Sequence, residues 1–156
     1  MRIFGLMALL ALACDQLSKL VVVHWMDLKT IGLIDVAPPF LTFRMGWNYG
    51  INFGLFSGVE VWARWVLIII ALLIVGMVAI WMRNGQQGKW ALISAGLLTG
   101  GALGNVVDRI MYGAVADFLN MSCCGFDNPY AFNVADISIF VGAIGLMFFA
   151  DGKKAA

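Results

Sequence analysis

Four apolar runs set the terms for this chain: residues 3–23, 65–82, 90–111 and 132–150 each approach or exceed the roughly 20 residues an α-helix needs to cross a bilayer core. A chain of 156 residues that is 62% apolar and 12% charged carries more apolar surface than one soluble core could bury. The pattern predicts an all-α integral membrane protein of four transmembrane helices, folded as a single domain over residues 1–156. Trp25, Trp62, Trp65, Trp81 and Trp90 fall at the expected helix ends, where amphipathic rings sit at headgroup level.

Charge then orients the bundle. The connection between the second and third runs, RNGQQGK, is short and basic, Arg2 precedes the first run, and Lys153 and Lys154 follow the fourth. By the positive-inside rule both termini and that loop face the cytoplasm. Two longer connections, 24–64 and 112–131, lie outside. The first holds Pro38, Pro39 and FLTFRMGWNYGINFGLF, whose apolar and aromatic residues between glycines suggest a small β-like or interfacial extracytoplasmic segment between helices 1 and 2. Gly46, Gly50, Gly54 and Gly58 recur every four residues, which fits a close helix face equally well.

The start, MRIFGLMALLALAC, has the basic residue, apolar stretch and small-residue cysteine of a cleaved leader. Apolar character resumes after Lys19 in LVVV, so the segment is expected to be a retained span. A net charge of +1 offers no basic surface for nucleic acid. Cys14, Cys123, Cys124 and the single His24 have no zinc spacing, and no metal or organic cofactor is expected; Cys123 and Cys124 read as free thiols in a loop.

Against this apolar background the polar residues stand out. Asp15 lies past the midplane of the first run with Lys19 one turn on, so the two can pair at i, i+4 while the lysine snorkels outward. Asn105, Asp108 and Arg109 share a face near the outer end of the third run, and Asn133 and Asp136 share the first turns of the fourth. Singly, each has an ordinary explanation: an ion pair, an interface anchor, an N-cap with a dipole-favoured carboxylate. Together they converge on the outer half of the bilayer, although Gly96, Gly100 and Gly104 already supply GxxxG steps for close packing without charge. Ionisable groups inside a span point to function.

No GxSxG or HExxH is present, and Lys19 stands beside Ser18 on the wrong face for a simple dyad. Carboxylates are the abundant reactive groups. Asp117 and Asp136 flank a connection that leaves and re-enters the same interface, so they can meet. Two carboxylates in a poorly hydrated site would share a proton, one acting as base and one as acid, which is aspartic-protease chemistry. A small proton-coupled transporter is the rival reading, but the inner helix halves are almost purely apolar and no inverted repeat is visible.

The set DQLSK at Asp15, NYGINFG at Asn48, GGALGNVVDR at Gly100, VADF ending at Phe118 and FNVADISI at Phe132 resembles lipoprotein signal peptidase, the signal peptidase II family, over nearly the whole chain. The resemblance implies a multi-pass aspartic endopeptidase of the bacterial inner membrane with its site toward the outer face. It would remove signal peptides from diacylglyceryl-modified prolipoproteins by cutting just before the lipid-modified cysteine, and would be blocked by globomycin-type inhibitors. It also implies Asp117 and Asp136 as the catalytic dyad. Asp15, Lys19, Asn48, Asn105, Asp108, Arg109 and Asn133 become supporting residues, and Gly50, Gly100 and Gly104 points of close approach. The chain departs from the common NxGAAF pattern at Ile51 and Asn52 before Phe53, and CCGFDNPY lacks the tryptophan many members carry between the two aspartates.

Overall fold

The computed structural model describes residues 1–50, 59–85, 87–123, 125 and 127–150. Gly54, Gly58, the departure at Ile51, Asn52 and Phe53, Cys124, and the terminal Lys153 and Lys154 lie outside the described residues. The elements in chain order are α1 (Arg2–Lys19), running on as a π-helical segment (Leu20–Trp25), α2 (Leu28–Ile31), β1 (Leu33–Ala37), β2 (Leu41–Asn48), α3 (Val59–Asn84), α4 (Lys89–Tyr112), β3 (Val115–Met121) and α5 (Val134–Phe149).

Small residues make α4 the centre of the bundle. A Cβ on Gly100 would run into the carbonyl of Ala8, and one on Gly104 would come within 2.6 Å of Asp15 Oδ2, so both glycines let α1 lie directly against α4. Such contacts hold helices together where hydrocarbon solvent gives no hydrophobic drive to associate. On the other side of α4, Gly101 abuts the backbone of α5 at Ala135. Helix α3 packs on α4 from the edge of the bundle and leaves Ile69, Leu73, Met77 and Ile80 exposed, as a lipid-facing helix does.

Among the described residues, three stretches are long and apolar enough to cross a bilayer: Arg2–Trp25, Trp62–Asn84 and Lys89–Tyr112. The fourth expected span differs. Its apolar run begins at Phe132, but helix begins only at Val134, because Asn133 takes extended backbone as the N-cap and closes a capping box with Asp136. The 16 residues of α5 rise about 24 Å, short of a hydrocarbon core of about 30 Å.

The β-like segment expected between the first two spans is a sheet, and it is larger than expected. β2 pairs antiparallel with β1 (Leu33 opposite Arg44) and with β3 (Gly46 opposite Asp117, Asn48 opposite Val115), giving the order β1-β2-β3. The third strand comes from the connection after α4, where no strand was foreseen. Gly46 belongs to β2, so the four-residue glycine spacing does not mark a helix face there. Val22 and Val23 of the π-helical segment form a core with Leu28, Ala116 and Phe118, and Phe43 meets Phe118 edge-on at 5.8 Å. This core seats the sheet on the C-terminal end of α1.

Candidate active site

Asp117 enters the site from β3. Its pairing opposite Gly46 fixes its backbone, and its side chain accepts from Asn48 Nδ2 at 3.0 Å and from Asn133 Nδ2 at 2.6 Å. Asp136 enters from the first turn of α5, where its backbone N–H donates to Asn133 Oδ1 at 2.9 Å and its Oδ2 accepts from Asn133 N at 3.2 Å. Asn105 of α4 completes the arrangement, donating to Asp136 Oδ1 at 2.9 Å and accepting from Asn133 Nδ2 at 3.3 Å. The fully buried Asn133 therefore caps α5 and bridges the two aspartates through one amide.

Asp117 is 4% exposed. Burial, and after it the charge of Asp136, pushes its carboxyl up to about 6, against the opposing pull of the amide donors on Asn48 and Asn133. A carboxyl that changes charge near neutrality beside a second carboxylate can act as either acid or base.

The two aspartates border different hollows. Asp117 lies in a cleft of about 400 Å³ between Gly46–Gly50 on one side and Pro129, Tyr130 and Ala131 on the other. Asp136 borders an apolar notch of about 340 Å³ lined by Phe132, Ile137 and Phe140. Gly50 closes one end of the cleft with φ +92°, a conformation suited to glycine, where a Cβ would also strike the Leu67 side chain.

Arg109 departs from expectation. As a supporting residue it would bond the aspartates directly, but among the described residues its guanidinium's one hydrogen bond runs from Nη1 to the carbonyl of Asn105 one turn back at 3.3 Å. Its Nε is buried without a partner among the described residues, within electrostatic reach of Asp136, Asp117 and Asp108. A donor is thus left available beside the aspartates.

Asp15, Lys19 and Asp108 form a second cluster. Lys19 pairs with Asp15 at 2.8 Å, as the i, i+4 spacing predicts, but it does not snorkel: it is 5% exposed and its Nζ also lies 2.7 Å from Asp108. A buried ammonium between two carboxylates satisfies its charge internally, which removes the reason to reach for water. Asp108 is thereby tied to α1, while Asn105 bonds Asp136. Asp15 Oδ1 accepts the N–H of Ala135 at 3.0 Å, and Asp108 Oδ2 accepts the N–H of Ala116 at 3.1 Å. Those are the residues immediately before Asp136 and Asp117. Ser18 is turned to the carbonyl of Asp15 at 2.7 Å and makes no bond to Lys19.

Sequence reasoning passed over Gln16, whose amide joins Asp15 and Asp108 at 3.0 Å each, and Asn120, whose amide folds the segment after β3. Position beside Asp15 and close after Asp117 was the available signal. Cys14 is free and exposed, whereas Cys123 is disulfide-bonded, contrary to the free thiol expected.

Residues 7–150 match the family model described as Signal peptidase (SPase) II. The lipoprotein signal peptidase of Methylorubrum extorquens (strain PA1) is 42% identical over 144 residues, spanning 92% of this chain and 82% of its own length. That of Vibrio cholerae serotype O1 (strain ATCC 39315 / El Tor Inaba N16961) is 39% identical over 150 residues, spanning 96% and 85%. A solved bacterial membrane enzyme superposes with a TM-score of 0.78 at 30% identity, covering 96% of this chain and 92% of its own.

Proposed function

This chain belongs to the signal peptidase II family, a family of peptidases, and on that premise we propose that it is an aspartic endopeptidase of the bacterial inner membrane that removes signal peptides from diacylglyceryl-modified prolipoproteins. Cleavage falls just before the lipid-modified cysteine. The transporter reading is without support in the family match.

The observation that carries the aspartic assignment is the bridge of Asn133 between Asp117 and Asp136. Held this way, the ionised carboxylate removes a proton from water while the protonated one donates to the scissile carbonyl, so charge developing on that oxygen is met by a proton already in place. As the tetrahedral intermediate collapses, the carboxyl that took a proton from water passes it to the leaving amine while the other carboxylate recovers its proton from a hydroxyl of the gem-diol, and the chemistry calls on no metal or organic cofactor. Arg109, with its unpartnered Nε, holds a substrate backbone carbonyl, and Asn48 and Asn105 keep their carboxylates oriented. The extended peptide lies in the Asp117 cleft and the acyl chains in the apolar notch beside Asp136, which a lipid-anchored substrate reaches laterally.

All of 1–156 acts as one domain, with α5 as a short fourth span that begins below the outer surface. Both termini are cytoplasmic and the site faces outward. Globomycin-type inhibitors are expected to compete with the lipidated precursor by presenting a hydroxyl between the aspartates.

The test is cleavage of a diacylglyceryl-modified precursor by purified Asp117→Asn and Asp136→Asn variants. Each should lose at least about 10³-fold in kcat, since an amide fills neither the acid nor the base role. Full activity in either, or loss in a chelator reversed by added metal, would remove the aspartic mechanism.

A further inference from the structure

The chemistry above makes no use of Asn120, yet its side chain is among the most completely bonded in the described structure. It stands on β3 three residues after Asp117 and is 4% exposed. Its Nδ2 donates to the carbonyls of Asn128 and Tyr130 at 2.7 and 2.8 Å. Its Oδ1 accepts from the hydroxyls of Ser122 and Thr42 at 3.1 and 3.4 Å. An amide side chain offers two donors and two lone pairs, and all four are in use. Ser122 Oγ in turn accepts the N–H of Asn128 at 3.1 Å, so the return toward α5 is folded around this one group.

That return is a wall of the Asp117 cleft. Pro129, Tyr130 and Ala131 face β2 across Asp117. A Cβ placed on Gly46 would lie 3.5 Å from the Asp117 carbonyl and 3.9 Å from Ala131 Cβ. Two separate features therefore set the width beside Asp117: the missing side chain of Gly46 on one wall, and the Asn120 amide that fixes the other.

We propose that Asn120 is a positioning residue that holds the 127–131 wall at a width limiting the size of the substrate side chain beside the scissile bond. It sets selectivity at that substrate position without touching the reacting atoms. The inference rests on the peptidase reading, which supplies the substrate.

Asn120→Asp keeps the shape and the acceptors but turns an oxygen toward two carbonyl oxygens, so the wall moves outward. The experiment uses the full-length purified protein and diacylglyceryl-modified precursors that differ only in the residue before the modified cysteine, from glycine to phenylalanine. Asn120→Asp should raise KM for the small-residue precursor about tenfold, hold kcat within about twofold, and shrink the preference for small over bulky residues about tenfold. Gly46→Ala, which narrows the same cleft at ordinary contact distance, should sharpen that preference. If Asn120→Asp does not accumulate folded, Ser122→Ala, which removes one partner of the amide, carries the test with a smaller shift of the same sign. Unchanged selectivity in either wall variant, or a fall in kcat at constant KM, overturns the proposal. Failure of the wild type to cut any lipidated precursor overturns instead the reading on which it rests.

Discussion

Asn133 concentrates three tasks in one residue: it ends the extended approach to α5, caps the helix, and ties the two aspartates together, its side-chain amide donating to the Asp117 carboxylate and its backbone N–H to that of Asp136. Loss of an N-cap alone costs about 1 kcal/mol. Asn133→Ala should therefore lower the thermal midpoint by a few degrees while reducing cleavage far more than that loss explains, a split that calorimetry and turnover on one preparation would reveal. Asp117 gives the second prediction at this scale. Its carboxyl rises from 3.8 to about 6 on folding, so between those values the native state binds more protons than the unfolded chain. Stability should accordingly fall as pH rises across that interval and then level off. Burial is the larger cause and Asp136 the next, so in Asp136→Asn the value for Asp117 should drop yet stay above 3.8, as carboxyl titration by NMR would report. A value unchanged from the wild type would mean that the two groups do not communicate.

Single elements are placed by ties that cross between them. The cluster of Asp15, Lys19 and Asp108 hands one carboxylate oxygen to the first turn of α5 and another to β3, each one residue ahead of an aspartate in the site. Both elements are thereby referenced to α1 and α4, which lie against each other at Gly100 and Gly104. Removing the shared cation leaves two buried carboxylates face to face. Lys19→Met should destabilise by about 3–5 kcal/mol, read as a large fall in detergent unfolding temperature, whereas Asp15→Asn, which keeps an acceptor for Ala135 N–H, should cost less. Near-equal effects would show the ion pairing to be incidental. At the same crossing, Gly104→Val would push Asp15 off its partners, and it should impair turnover in step with stability.

At the scale of the whole molecule, a bundle with an apolar surface carries a three-stranded sheet on one end, and the sheet and α5 meet over the two aspartates. The proposed orientation makes a direct prediction in intact cells. A cysteine replacing Gly88 should be shielded from a membrane-impermeant thiol reagent, and one replacing Asp127 should react, in a background free of native cysteines. The reverse pattern would turn the site toward the cytoplasm, away from where an exported precursor presents its cleavage point.

Helix content, the three long spans and the identity of the family were legible in the residues themselves, because apolar run length and the order of motifs such as GNVVDR and FNVAD are local properties. The convergence of Asp117 and Asp136 could be inferred from a connection that returns to one interface. Which atoms hold them could not. That Asp108 meets Lys19 of α1 and reaches Asp117 only through the N–H of Ala116, and that Lys19 is buried instead of snorkelling, depend on partners far away in sequence. The strand at Val115–Met121 escaped the apolar pattern for the same reason: its buried residues find their neighbours on β2 and on the π-helical end of α1, and only the folded chain brings those surfaces together.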